Sequence, residues 1–256
     1  MKPFVPMAVV LTLASSVAAD AQTRPARPAP RPRPVVAERV FLSVNGVFQA
    51  GSNDFRDTST FRENVEDGSL STDYSVGPGP AFDVSGGVVV WQRLAVGAGI
   101  TRFSHSTPTA VSAAVPHPFF FNQPRTVTGE FSGSRTELAV HLQVRGVFPL
   151  SNRIQVAVFG GPSFFRVEQA IVDDFDFTEA YPFDTATFSR AMSRTQSESA
   201  VGLHVGGDVA YFFRPEVGVG VGVQYSGATV QMTLPSGSSD VKAGGAQVGG
   251  GLRLRF

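Results

Sequence analysis

Apolar residues alternate with polar or small residues, with a period of two, in eight separate segments of this 256-residue chain. Successive side chains of a β-strand point to opposite faces, so this period predicts strands and not helices, whose period is 3.6. The pattern therefore predicts an all-β protein of eight strands. The segments are residues 40–48, 84–90, 94–100, 138–148, 154–158, 201–211, 217–225 and 248–256.

The predicted connections are mostly short at one end of the strands and long at the other. Tight hairpin turns are predicted near Gln92 and at residues 149–153 and 214–216, and a further short connection at residues 235–240. Short turns on one rim and longer loops on the other are typical of an up-and-down barrel in an outer membrane. The long loops are predicted at residues 51–80, 106–126 and 172–197.

The face opposite the apolar one combines charged and amide side chains with many glycines. A soluble barrel turns its apolar face inward, whereas a membrane barrel turns that face to lipid and keeps a polar lumen. Glycine weakens an exposed strand but makes room inside a narrow barrel, which side chains nearly fill. We therefore predict a closed eight-stranded antiparallel transmembrane barrel over residues 38–256. The glycines on this face are Gly97, Gly99, Gly218, Gly220, Gly222, Gly249 and Gly251.

The N-terminus has the pattern of a secretory signal peptide. A basic Lys2 precedes an apolar run over residues 4–17, and small residues around Ala19 and Ala21 offer a cleavage site. Residues 1–21 are therefore predicted as a signal peptide. Residues 22–37 alternate proline with arginine or alanine and predict an extended, disordered arm, which is a spacer or a weak contact to headgroups or peptidoglycan.

Composition excludes several kinds of chemistry. The chain has no cysteine, which rules out a disulfide framework, a thiolate metal site, a cysteine nucleophile and a lipid-anchored N-terminal cysteine. The formal net charge is +0, so no global field attracts nucleic acid, and no nucleic-acid partner is predicted. Outside the signal peptide, no apolar run reaches the length of a transmembrane helix, so a helical membrane protein is not expected.

The last strand ends in Phe256, with Leu252 and Leu254 at alternate positions before it. This ending resembles the β-signal by which the outer-membrane assembly machinery recognises its clients. With the signal peptide and the eight strands, residues 39–256 resemble the small outer-membrane barrel proteins of the OmpA-like and OmpW-like type. The resemblance implies insertion by that machinery into the outer membrane of a Gram-negative-type bacterium, periplasmic termini and exposed long loops. It implies no single activity, because the class includes structural, adhesive, permeation and enzymatic members.

Charged residues recur on the predicted lumen face. Glu137, His141 and Arg145 follow one another at intervals of four on one strand, and His204 and Asp208 do the same on another. Such groups form a proton relay or polar gate in a narrow pore, or a salt-bridged network that pairs charges removed from water. The predicted lumen network comprises Asp83, Glu137, His141, Arg145, His204, Asp208, Arg253 and Arg255.

Neither a metal site nor a catalytic site is predicted, and no cofactor is expected. The four histidines are widely spaced, and the acidic stretch 173–176 lacks a calcium-loop pattern, which favours a solvated loop over a bridge between divalent ions and lipopolysaccharide. Ser104, His105 and Ser106 lie where a lipid A deacylase of the PagL type would place its catalytic pair. No acid partner for His105 is identifiable.

The loop at residues 115–125 is the most unusual predicted surface feature. It places His117 and three consecutive phenylalanines, Phe119, Phe120 and Phe121, between prolines. These residues form a packed lid over the barrel mouth, bind a hydrophobic ligand or enter lipid.

The predicted function is that of a non-enzymatic, integral outer-membrane barrel. It contributes to envelope structure or to surface interactions through its long loops, with outer-membrane lipid and lipopolysaccharide as partners. The alternatives are a narrow, porin-like channel for small or hydrophobic solutes and, less favoured, a lipid-modifying enzyme.

Overall fold

The computed structural model describes residues 39–50 and 54–256. The segments predicted as a signal peptide and as a Pro/Arg-rich arm lie outside the described residues. Among those residues, no helix is long and apolar enough to cross a membrane. The strands are β1 (Val40–Ala50), β2 (Phe55–Glu63), β3 (Glu66–Tyr74), β4 (Gly79–Trp91), β5 (Leu94–Val115), β6 (Arg125–Pro149), β7 (Ile154–Glu179), β8 (Ala186–Phe212), β9 (Val217–Leu234) and β10 (Gly237–Arg255).

Eight of the ten strands close into a ring. β4 to β10 pair in chain order, each antiparallel to the next, and β1 pairs with β4 on one side and β10 on the other. Val44 of β1 marks the closure, because it lies opposite Val84 of β4 and Leu252 of β10. A sheet closed on itself is a barrel, so the prediction of an all-β, antiparallel, up-and-down arrangement with eight strands in a ring is confirmed.

The predicted long loops are wrong, because most of their residues are strand. The segment 51–80 contains the β2–β3 hairpin, and β3 pairs with the far end of β5. β5 and β6 reach into the segment 106–126, and β7 and β8 into 172–197. The outward residues of these parts are mainly serine, threonine and charged residues, so they lack the valine and leucine repeats that marked the other strands.

The long strands continue past the ring as a two-layer extension, whose end opposite the chain termini is called upper here. The β6–β7 ladder ends at Arg135 and Gln169, and the β8–β9 ladder ends at Leu203 and Gly227. Above these points, the β7–β8 hairpin packs across the sheet of β2, β3, β5 and β6. The apolar cluster between the two layers comprises Leu70, Val111, Ala113, Val115, Val127, Val172 and Phe175, with Phe61, Phe131, Phe177 and Phe188 against it.

Glycine permits the close approach of these layers. A Cβ atom on Gly129 of β6 would lie 2.2 Å from the Cδ1 atom of Phe188 on β8. The Phe188 ring therefore occupies the space that any other residue at position 129 would fill.

Candidate functional site

The outward face of the ring is a continuous apolar band. On β6, Leu138, Val140, Leu142, Val144 and Phe148 all face outward, and Leu142 is 48% exposed. Equivalent stretches run over residues 154–164 of β7 and 201–211 of β8. Each has about the 9–11 residues that a tilted strand needs to cross the hydrocarbon of a bilayer.

The polarity of the wall reverses above this band. On β6, the outward residues above Leu138 are Thr136, Ser134, Ser132 and Glu130. The inward residues change in the opposite direction, from His141 and other polar side chains in the ring to the apolar cores of the extension. The same strands are thus apolar outside and polar inside below, and polar outside and apolar inside above.

Exposed aromatic residues lie at both edges of the band. Trp91, Phe148 and Tyr211 lie near the short-turn rim. A second group stands at the upper edge and was missed, because its members are dispersed over four strands. This upper group comprises Phe48, Phe82, Phe164 and Tyr225.

A buried ion pair lies in the centre of the lumen. The Nη2 atom of Arg145 is 2.6 Å from the Oδ2 atom of Asp208, and both side chains are 6% exposed. The Nε atom of Arg253 is 3.6 Å from the same carboxylate, and Arg253 also donates to the Asn45 side chain. Gly220 makes room for this group, because a Cβ atom there would lie 2.9 Å from Arg253 Nε.

A chain of hydrogen bonds links Asp83 to His204. Asp83 accepts from Asn45 at 2.7 Å and from the Thr101 hydroxyl at 3.0 Å. Thr101 Oγ1 is 3.1 Å from His141 Nε2, and Ser163 Oγ is 2.7 Å from His141 Nδ1 and 3.0 Å from His204 Nδ1.

The direction of this chain follows from its acceptor end. Because Thr101 donates to Asp83, Thr101 accepts from the Nε2–H of His141, whose Nδ1 then accepts from Ser163. Ser163 in turn accepts from His204 Nδ1–H. Thr101 and Ser163 were not among the predicted network residues. Thr101 lies on the predicted lumen face with Gly97 and Gly99, whereas Ser163 lies beyond the repeat at residues 154–158.

Glu137 and Arg255, the remaining predicted lumen residues, have partners outside the predicted network. Glu137 binds Arg135, two residues earlier on the same face, at 2.6 Å, and accepts from the Gly244 N–H at 2.9 Å. Arg255 is half-buried, donates to the Pro215 carbonyl and lies over the Phe212 ring. Arg135 was missed, although continuing the period of two from Glu137 would have found it.

Within the described part of the chain, the ion-pair group around Asp208 and the hydrogen-bond chain from Asp83 to His204 line a cavity of about 40 Å³. That volume holds on the order of three water molecules. Its lining includes His204 and Gln143, whose Nε2 atoms have no protein partner among the described residues. The lumen is therefore nearly filled at this level.

The residues of the hypothetical deacylase site do not face one another. Ser104 and Ser106 are exposed on the outer face of β5, while His105 points to the other face. Ser104 lies 3.3 Å from the Thr136 hydroxyl of β6. Since neighbouring residues of a strand point to opposite sides, neither serine can bond to the His105 ring.

The acidic stretch is part of β7 and not a loop. Asp173 forms an ion pair with Arg194 at 3.1 Å, and Asp176 with Arg190 at 2.6 Å. Among the described residues, no group of three or more acidic or histidine side chains is placed to hold a metal ion.

Phe119, Phe120 and Phe121 form an exposed aromatic tip at the upper end, and hydrogen bonds hold the residues around it in place. His117 is buried, and its Nδ1 atom accepts from the N–H groups of Phe119 and Phe120. Phe119, Phe120 and Phe121 are 54–70% exposed, so they do not form a packed lid.

The side chains of Arg125 and Asn64 hold the tip against its neighbours. The Arg125 guanidinium binds Glu179 at 2.5 Å and the Phe183 carbonyl at 3.0 Å, across the β7–β8 loop. Asn64 of the β2–β3 turn donates to the Pro116 carbonyl at 3.2 Å.

The predicted assembly signal forms the closing edge of the ring. Leu252 and Phe256 are exposed on the outer face, and Leu254 is half-buried. The Phe256 carbonyl accepts from the Val40 N–H at 3.0 Å, and the Phe256 N–H donates to the Val40 carbonyl at 2.9 Å.

No protein-family model matches the chain, and no curated protein matches it. Among solved structures, Neisserial surface protein A has 10% identity and a TM-score of 0.43, over 85% of this chain and 97% of that one. Ail, the attachment invasion locus protein of Yersinia pestis, has 12% and 0.38, over 85% and 99%. The outer membrane protease OmpT from Escherichia coli has 8% and 0.43, over 85% and 97%. Values this low assign no activity, ligand or location to the chain.

Proposed function

We propose that this chain is an integral outer-membrane β-barrel protein without catalytic activity. It contributes to the envelope, or to interactions at the cell surface, through the extension above its apolar band. The observation that carries the proposal is the reversal of polarity along β6 and its neighbouring strands. A single solvent on the outer face does not explain this reversal, whereas a bilayer below and water above does.

The area of the apolar band supports a lipid environment. The largest apolar patch of an ordinary soluble monomer covers about 300–600 Å². Here, large apolar side chains are exposed on all eight strands of the ring, from Val40 on β1 to Leu252 on β10. The aromatic residues at both edges correspond to the girdles of outer-membrane barrels.

The proposed orientation follows from the ends of the chain. The start of β1 and the end of β10 lie beside the short turns at one rim, while the extension lies beyond the other. We place the termini in the periplasm and the extension outside, with Leu252, Leu254 and Phe256 as the signal for the assembly machinery. Outer-membrane lipid and lipopolysaccharide then surround the band.

The lumen favours a structural role over a channel. Six of the eight residues of the predicted polar network line a cavity of only about 40 Å³. The aromatic tip, in contrast, is exposed and held in place by the Arg125 contacts. We therefore assign surface interactions to the tip formed by Phe119, Phe120 and Phe121.

A charge placed at two heights on one strand tests the membrane location. Leu142→Arg puts an arginine in the middle of the band, and Ser132→Arg puts one on the same face above it. We expect the first to lower the free energy of unfolding in lipid vesicles by about 2–4 kcal/mol and the second to change it by less than about 0.5 kcal/mol. The measurement is the folded fraction in urea, read as the gel-mobility shift between unboiled and boiled samples. Equal effects of the two variants would contradict the membrane location.

A further inference from the structure

A crevice of about 440 Å³ is cut into the outer wall at the upper edge of the apolar band. It lies where β8, β9, β10 and β1 run side by side, with Val205 opposite Tyr225 and Tyr225 opposite Ala246. The crevice forms because the positions between its larger side chains carry Gly207, Ala246 and Ala50. Its volume is within the range of about 300–1,000 Å³ typical of small-molecule sites.

The side chains on the outer face of the crevice are apolar, while Gln224 and Gln247, which also line it, bond to each other. Val205, Val223 and Val248 line it, and each is more than half exposed. The Tyr225 ring points upward out of the crevice. Its hydroxyl oxygen lies 3.4 Å from where a Cβ atom on Gly227, two residues higher on β9, would be. The phenol therefore points away from the centre of the band.

A cation stands above the crevice on the same face. Lys242 is exposed on the outer side of β10, opposite the exposed Thr229 of β9. It is four residues above Ala246, which is about 13 Å along the strand. Lys242 forms no ion pair within residues 39–50 and 54–256. An ammonium group and two hydroxyl groups thus lie directly above an apolar slot.

We propose that this crevice is a binding site for a phosphate-bearing lipid. One acyl chain lies in the slot between Val205 and Val248, and the phosphate binds the Lys242 ammonium, with the Tyr225 hydroxyl beside it. This inference rests on the proposed membrane location, because only a barrel in a bilayer presents the crevice to acyl chains. The order of the groups matches an amphiphile whose charged head lies toward the upper end.

Native mass spectrometry of the mature chain released from detergent micelles tests the site. The probes are phosphatidylglycerol and a diacylglycerol with the same acyl chains, which differ by the phosphate-containing headgroup. We expect Lys242→Ala to lower the phosphatidylglycerol-bound fraction about fivefold and to leave the diacylglycerol-bound fraction unchanged. We expect Ala246→Phe, which fills the slot, to lower both bound fractions.

Matched controls use the opposite side of the barrel. Arg102→Ala removes an exposed cation from β5 at the upper edge of the band, and Ala98→Phe adds a ring to the outer face of the same strand. Neither is expected to change lipid retention. If Lys242→Ala leaves the preference for phosphatidylglycerol intact, or if Ala246→Phe retains as much lipid as Ala98→Phe, the proposed site is wrong.

Reconstitution into vesicles separates this result from the membrane location. A chain that resists extraction by alkaline carbonate but shows no Lys242-dependent lipid preference overturns the lipid site and leaves the membrane location standing. A chain that carbonate releases from the vesicles overturns both. If Ala246→Phe migrates equally on a gel before and after boiling, this variant is misfolded. The result for Lys242→Ala then decides alone whether the lipid site is correct.

Discussion

At the scale of single residues, burial determines how much an ion pair contributes to the free energy of unfolding. Arg145 and Asp208 are both enclosed, whereas Arg194 and Asp173 form a similar pair on the outer surface of the extension. Removing one partner of a buried pair leaves an uncompensated charge and costs about 3–5 kcal/mol, while an exposed pair contributes about 0–1 kcal/mol. The two pairs therefore offer a matched comparison within one chain.

We expect Asp208→Asn to lower the free energy of unfolding by about 3–5 kcal/mol, because it leaves Arg145 and Arg253 without their shared carboxylate. Asp173→Asn is the control and is expected to cost less than about 1 kcal/mol. Urea titrations of both variants in the same vesicles measure the difference. Equal losses would show that the lumen pair contributes no more than a surface pair.

Tyr74, which lies outside the apolar band, makes the free energy of unfolding depend on pH. Burial raises the pKa of its phenol from 10.0 to about 12, and its oxygen accepts from the Val172 N–H at 2.8 Å. Below pH 10 the phenol is protonated in both the folded and the unfolded chain. Between pH 10 and 12 the unfolded chain loses this proton first, so the contribution of Tyr74 to stability falls by up to about 2–3 kcal/mol as pH rises.

The test compares the unfolding free energy of the wild type and Tyr74→Phe from pH 8 to 12. We expect the difference between them to shrink above pH 10, because phenylalanine has no titrating group. A constant difference across this pH range would contradict the burial of Tyr74 in the folded extension.

At the scale of elements, the extension depends on how the β7–β8 hairpin lies on the sheet below it. The β6–β7 and β8–β9 ladders both end before this level, so side-chain packing, and not backbone pairing with β6 or β9, holds the hairpin against the sheet. Phe175 and Phe61 meet edge to face at 5.4 Å, and Phe188 covers Gly129. The hairpin is therefore sensitive to added volume at position 129.

Gly129→Val is expected to displace Phe188 and to destabilise the extension by about 1–3 kcal/mol. Limited proteolysis of the reconstituted protein measures this as faster cleavage in the loop at residues 180–185. Gly46→Ala is the control, because nothing lies within 4 Å of a Cβ atom on Gly46. Unchanged cleavage of Gly129→Val would contradict the packing of the two layers.

At the scale of the whole molecule, one closed sheet passes through two environments. The ring is built around paired charges and glycines, and the extension around apolar clusters that include Tyr74, Ile171 and Met232. Among the described residues, Arg145, Arg253 and Asp208 line a lumen cavity of only about 40 Å³ at that level. This arrangement favours a rigid support for the extension.

We therefore expect no stepwise conductance when the purified protein is added to planar bilayers in concentrated potassium chloride. An open porin in the same lipid is the positive control for the recording. Insertion is verified separately by the gel-mobility shift of the recovered protein. Discrete conductance steps from inserted protein would contradict the sealed lumen and favour the narrow channel.

The period-two repeats are enough to predict the strands of the ring and the side of the sheet to which each of their residues points. Side chains alternate along a strand whatever its neighbours are, so the repeats at Leu138–Phe148 and at Val217–Tyr225 predict an apolar face directly. The pairing partners could not be predicted in this way. Arg145 and Asp208 are 63 positions apart, and the registers of β6 with β7 and of β7 with β8 together bring them to one level of the lumen.

The strands of the extension could not be predicted from the sequence, because they depend on packing between two layers. Its strands expose serine and threonine and bury single valines and phenylalanines, a pattern that also suits a loop until a second layer is present to cover the apolar side. The opening repeat of period two thus specified which side of each strand is apolar. Whether that side faces outward or toward the interior changes within one strand, and this depends on the partners that the fold brings against it.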